Sequence, residues 1–200
     1  MVTHIESIPE ARLLLMSLRS VGYTEETAIA DILDNSISAD ATEIRISFNW
    51  DDESIVIADN GTGMTEEELV SNMRIGSADP GDIRSKKDLG RFGMGLKTAA
   101  FALGKRLTVI TKANGQYANA AWDLDDVLRI GWNLIVQNEE SLEQYYSLLQ
   151  DQGTVVIIEK LDRMIDPRNK QKSERKFYST IRKTEEHLGL TFHRFIRPVH

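Results

Sequence analysis

Two hundred residues, 41% hydrophobic and 28% charged, have the size and balance of one globular domain. Without a cysteine, the chain can build neither a disulfide framework nor a zinc–thiolate site. The formal charge of -7 argues against a general nucleic-acid clamp. No apolar run approaches the roughly 20 residues that span a bilayer, and Met-Val-Thr-His-Ile-Glu has no secretory pattern. The expectation is a soluble, cytoplasmic, acidic chain with no membrane partner.

In chain order, Pro9 to Ser20 reads as an amphipathic helix, with Leu13, Leu14, Met16 and Leu18 apolar. Thr24 can cap a second helix to about Ser38, with Glu25 and Glu26 in its first turn. Glu43 to Trp50 and Ser54 to Ala58 alternate as paired strands around Asp51-Asp52. Thr65 to Glu68 is a capping box opening a short helix toward Met73. The polar stretch Gly76 to Leu89 has no period and reads as a mobile loop. Gly93 to Leu103 returns to helix, and a hairpin about Asn114-Gly115 follows. Ile130 to Val136 and Thr154 to Glu159 read as strands around a helical Ser141 to Leu149, and a charged helix covers about 173–189. The expected fold is α/β: a two-layer sandwich whose mixed sheet is covered on one face by helices.

Three segments carry chemistry. On the second helix, Ile29, Ile32, Leu33 and Ile37 share one side, and Asp31, Asn35 and Ser38 lie opposite, stacked one turn apart. That spacing also suits a solvated face. Yet Asp34, Asn35, Ser36 and Ser38 all compete with the helix for its own hydrogen bonds, where a solvated face favours Glu, Lys or Gln. A carboxamide oxygen at Asn35 can ligate Mg²⁺, and a carboxylate at Asp31 can polarise a water.

Asp59-Asn-Gly-Thr-Gly63-Met64 follows a strand. It is compatible with an ordinary turn, and equally with a buried carboxylate that accepts an adenine amino hydrogen. Gly61 and Gly63 would let a flat ring approach the backbone, and Met64 would give it a pliable apolar contact. Third, Gly90-Arg-Phe-Gly93-Met-Gly95-Leu-Lys97 opens a helix, whose free amides and positive dipole end suit phosphate. Leu96 stands where a Walker lysine would, and Thr98 where a dinucleotide fingerprint needs its third glycine. Lys97 is either a solvated first-turn lysine or a phosphate ligand.

Read together with Gly153-Thr154, these segments resemble the GHKL ATPases: gyrase, the ninety-kilodalton heat-shock chaperones, histidine kinases and MutL. The resemblance covers about residues 10–160. It lies nearer the MutL, chaperone, topoisomerase and Microrchidia branch than the histidine kinases, whose glycine loop differs. It implies the Bergerat sandwich and binding of ATP or ADP with Mg²⁺ on Asn35. It further implies that Asp59, Gly61, Gly63, Met64 and Thr154 hold adenine, and that Gly90, Arg91, Phe92, Gly93, Met94, Gly95, Leu96 and Lys97 wrap the phosphates. Residues 76–89 would form a lid that closes on ATP and favours a homodimer.

Asp31 occupies the place of the family's catalytic base, usually glutamate. One methylene shorter, its carboxylate sits about 1.5 Å farther from an in-line water. A misplacement of that size can cost on the order of 10²-fold in rate, so the implied ATPase is slow, or a non-catalytic dimerisation switch, with a histidine-kinase catalytic domain as the third and weaker alternative. The branch commonly has a further phosphate-contacting domain downstream, so residues 1–200 are expected to be one domain of a longer protein. Nucleic acid would then be met only through the missing regions. The basic run Arg168, Lys170, Lys172, Arg175 and Lys176 reads as a solvated face or domain joint. The four histidines show no metal-ligand spacing.

Overall fold

A computed structural model describes residues 10–20, 22–75 and 95–195. Helix α1 (Ala11–Arg19) leads to α2 (Glu25–Ser38), then strands β1 (Ile44–Asn49) and β2 (Ser54–Asp59) and helix α3 (Glu66–Met73). After residue 94 come α4 (Gly95–Leu103), β3 (Arg106–Ala113), β4 (Gln116–Asp123), α5 (Leu124–Ile130), a 3-10 turn (Glu139–Leu142) running into α6 (Glu143–Tyr146), β5 (Gly153–Glu159) and α7 (Lys170–Thr191). The anticipated lid at 76–89 and the glycines at 90 and 93 lie outside the described residues.

Local chemistry sets these boundaries. Thr24 caps α2 by accepting from the Thr27 amide, and Thr65 and Glu68 form the reciprocal box that opens α3. Asn114 and Gly115 both take positive φ, 53° and 77°, as a two-residue hairpin turn with the sheet's twist demands.

The sheet order is β1-β2-β5-β3-β4, and every neighbouring pair is antiparallel. The expected two-layer α/β sandwich is present, but the sheet is antiparallel, not mixed. The succession β2, helices, β3 resembles a unit of adjacent parallel strands. Strand β5 fills the slot between them and runs against both, so the parallel pair never touches.

Alternation gives each strand two faces. Ile55, Ile57, Leu107, Val109, Val156 and Ile158 point toward the helices and form the main core with Ile29, Ile32, Ala99 and Phe101. Ala58, Ile110, Val155 and Ile157 point the other way, where Leu142, Leu149 and the rings of Tyr145 and Tyr146 cover them. The second face is therefore partly covered too, which is why β5 reads as an unbroken apolar run.

Other expectations shift. Residues 130–136 are not a strand: beside β4 only Ile135 pairs, with Ala121. Asp123 caps α5 through the Asp125 amide at 3.0 Å, Gly131 ends it at φ 80°, and the Asn133 side chain donates through Nδ2 to the Ile130 carbonyl. The Gly131 amide donates to the Val127 carbonyl and the Asn133 backbone amide to the Gly131 carbonyl, local bonds that a strand would direct to a neighbour. The helix read at 141–149 shortens to the 3-10 turn and α6. On α1, Leu15 and Leu18 are buried, whereas Leu13 and Met16 face outward. Helix α7 lies on α2 and wedges Phe177 edge-on between Phe48 and Trp50. Of the basic run, Arg168 pairs with Asp166 and Lys176 with Glu25 of α2.

Candidate functional site

Register places three polar side chains in one row across the sheet. Asp59 of β2 pairs with Thr154 of β5, which pairs with Thr111 of β3. All three share parity with the helix-facing residues of their strands, so they point under α2 at one end of the sheet. Asp59 is 7% exposed. Its Oδ2 accepts the Ser36 hydroxyl at 2.8 Å, and its Oδ1 accepts the Gly61 amide at 2.9 Å. Burial pushes its carboxyl above the ordinary value, and the bonds from Ser36, Gly61 and the Thr154 amide pull only partly back.

The turn after Asp59 is held by close backbone approach. Gly63 has φ 65°, and a Cβ there would stand 2.1 Å from the Lys112 carbonyl oxygen. Gly153 has φ 142°, with its Cβ position 2.1 Å from the Asp59 carbonyl oxygen. Only glycine fits either place. The Met64 amide donates to Thr111 Oγ1 at 2.8 Å, and that hydroxyl donates to the Gly153 carbonyl at 3.1 Å. Asn60 works structurally: its Oδ1 accepts the amides of Thr42 and Glu43, both at 2.9 Å.

Helix α2 forms the roof. The Asn35 side-chain nitrogen donates to the Asp31 carbonyl at 3.0 Å, and among the described residues its carboxamide oxygen has no hydrogen-bond partner. One turn earlier, Asp31 accepts the Tyr23 hydroxyl on Oδ2. Across from Asp59, Lys97 in the first turn of α4 is 2% exposed and donates to the Asn72 carbonyl at the end of α3. Desolvation lowers its ammonium to about 8. Among the described residues, no carboxylate pairs with it.

A cleft of about 370 Å³ lies between these walls, lined by Asn35, Asp59, Gly63, Met64, Gly95, Leu96, Lys97 and Thr154, with Ser36, Ser38 and Asn72. Of the residues singled out in the sequence, these come together. Gly61 stands behind the carboxylate it donates to. Among the described residues the cleft lining does not include Asp31. Gly90, Arg91, Phe92, Gly93 and Met94 lie outside the described residues.

Several site residues escaped the sequence reading. Ser36 is 4% exposed and falls on the same helix face as Ile29, Ile32 and Leu33. A serine on an apolar stripe needs a buried partner, and that was the available signal. Thr111, two residues after inward-facing Val109, carries the same signal on a strand. Nothing local to Tyr23 announces its contact with Asp31.

An α/β sandwich with a desolvated carboxylate, Thr154 and a buried lysine around one cleft has the build of a small-molecule-binding domain. The chain belongs to the histidine kinase-, DNA gyrase B- and HSP90-like ATPase family, whose model matches residues 23–154. It is 32% identical over 115 residues to ATPase morc-1 of Caenorhabditis elegans, a match covering 55% of this chain and 13% of that protein. It is 28% identical over 138 residues to the chaperone protein HtpG of Halalkalibacterium halodurans, covering 56% and 22%. With HtpG of Clostridium perfringens identity is 34% over 93 residues, covering 42% and 15%. These relatives fit the MutL, chaperone and Microrchidia branch. The matched segment spans less than a quarter of each. Among the described residues, no helix is long and apolar enough to cross a membrane.

Proposed function

We propose that this domain binds ATP with Mg²⁺ and hydrolyses it slowly, coupled to closure of residues 76–89 and pairing of two copies. One observation carries the reading: a single cleft, of the size small-molecule sites have, holds desolvated Asp59 on one wall and buried Lys97 on another. The carboxylate suits the adenine amino group, and the lysine suits phosphate.

In this reading Asp59 accepts a hydrogen from the adenine 6-amino group, with Met64 against the ring and Thr154 beside it. Lys97 leaves the Asn72 carbonyl for the phosphates, which the run from Gly90 wraps. Among the described residues no cluster of three histidines or acids stands ready for a metal. Mg²⁺ binds few protein oxygens and keeps phosphate and water ligands, so the free carboxamide oxygen of Asn35 fits it. When bound, the ion neutralises phosphate charge. Asp31 orients the attacking water and takes its proton as the bond between the γ-phosphorus and ADP breaks. The relative named ATPase morc-1 supports turnover. Residues 1–200 are proposed to be one domain of a longer protein.

A second reading, a switch that binds ATP without turnover, draws on Asp31 itself, which is shorter than glutamate and already engaged by Tyr23. Calorimetric titration of ATP with Mg²⁺, beside a phosphate-release assay, separates the two. The ATPase predicts slow release by the wild type and loss of binding in Asp59→Asn. Binding without release would establish the switch, and absence of binding would refute both.

A further inference from the structure

We propose that Tyr23 is the positioning residue of Asp31. The inference rests on the ATPase reading above. Tyr23 immediately precedes the Thr24 cap of α2, and its ring packs against the main core. From there its hydroxyl reaches Asp31 Oδ2, two turns along the helix. Helical side chains lean toward the N-terminus, so Asp31 meets the phenol partway. Thr98, in the first turn of α4 and directly after Lys97, is a further polar neighbour of the phenol. Thr98 Oγ1 in turn stands 3.0 Å from the Gly95 carbonyl.

This arrangement answers the problem of the short side chain. A half-exposed aspartate on a helix surface otherwise turns among several rotamers, and its oxygens would meet an in-line water only part of the time. A phenol anchored in the core fixes one oxygen. The other, Oδ1, has no partner among the described residues and is left to receive the water's proton. The donor is a hydroxyl, not a cation, so it orients the carboxylate without neutralising it. Burial and the neighbouring Asp31 hold the Tyr23 hydroxyl above its ordinary pKa, so it stays a donor at neutral pH.

The test is steady-state turnover and calorimetric ATP binding for wild type, Tyr23→Phe, Asp31→Asn and the double variant, with thermal melts of each. Tyr23→Phe is expected to lower kcat about 10-fold with the dissociation constant for ATP unchanged. In the Asp31→Asn background it should have no further effect. Unchanged kcat in Tyr23→Phe, an equal loss without Asp31, or a loss matched by weaker binding would each overturn the positioning role while leaving the ATPase intact. Wild-type protein that binds ATP but does not turn it over would instead overturn the ATPase reading, and this inference with it.

Discussion

The Ser36 hydroxyl donates to Asp59 Oδ2 at 2.8 Å, joining the middle of α2 to the last residue of β2 through a buried bond. That single contact ties the roof of the cleft, where Asn35 sits next in sequence, to the carboxylate proposed to select adenine. Hydrogen bonds to charged groups contribute about 1.5–3 kcal/mol. Ser36→Ala should therefore weaken ATP binding about 10-fold or more, read by calorimetry, with little change in the fold.

Asp59 also gives a pH dependence with two opposite signs. Burial raises its folded pKa above the unfolded value. Its contribution to stability is thus fully present below the unfolded pKa and is lost as pH rises through the folded one. ATP affinity runs the other way, because only the carboxylate accepts the adenine amino hydrogen. Acidification should weaken ATP binding at a pH above the ordinary carboxylate range, while the free domain gains stability from the same protonation. Binding titrations across mildly acidic pH, compared with thermal melts over the same range, check both signs.

Lys97 adds a basic limb. Its folded pKa of about 8 lies below the ordinary lysine value of 10.5. Stability from this group is therefore present above pH 10.5, is lost as pH falls through 8, and stands at its deficit at neutral pH. Phosphate beside the ammonium would raise the pKa again, so ATP binding near pH 8 should take up a proton and weaken as pH rises further. Calorimetry in buffers of different ionisation enthalpy reads that uptake directly. Lys97→Met should lose affinity for ATP yet melt higher than wild type at pH 7, where it removes a desolvated charge.

The two glycines beside Asp59 test how firmly the turn is fixed. Gly63→Ala would drive a Cβ to 2.1 Å from the Lys112 carbonyl at φ 65°, so the turn must move. Such a change should destabilise by more than about 3 kcal/mol and abolish ATP binding. Gly115→Ala has a similar φ, 77°, with nothing near its Cβ position. It should cost about 1 kcal/mol and leave binding intact. Denaturant midpoints and ATP titrations of the two variants side by side separate the close approach from the dihedral.

What the sequence disclosed follows how local each cause is. The caps at Thr24 and Thr65 and the Asn114-Gly115 turn act within four residues, and each was readable. The convergence of Asn35, Asp59 and Lys97 was reachable only because their segments jointly resemble a known family. Strand direction was not readable, since β5 enters the sheet from far along the chain and changes which strands touch. Ser36 and Thr111 show the limit most plainly. Each is a small hydroxyl residue on an apolar face, and its partner is 23 or 42 residues away.

Helix α7 offers a last test, because its role depends on packing far from the cleft. Phe177 is 1% exposed and meets Phe48 and Trp50 edge-on, at ring separations of 6.1 and 5.4 Å. Beside it Lys176 pairs with Glu25 at 2.9 Å, in the first turn of the helix that carries Asp31 and Asn35. The pair is half-exposed and worth little, so the ring supplies most of the attachment. Phe177→Ala should lower stability by about 3–5 kcal/mol, read as an early denaturant midpoint. Lys176→Ala should shift it by less than about 1 kcal/mol. If α7 braces α2 as a lever behind the cleft, ATP should recover part of the stability lost in Phe177→Ala, since ligand binding favours the folded state. A melting temperature in that variant that does not respond to ATP would show that α2 no longer presents its polar face.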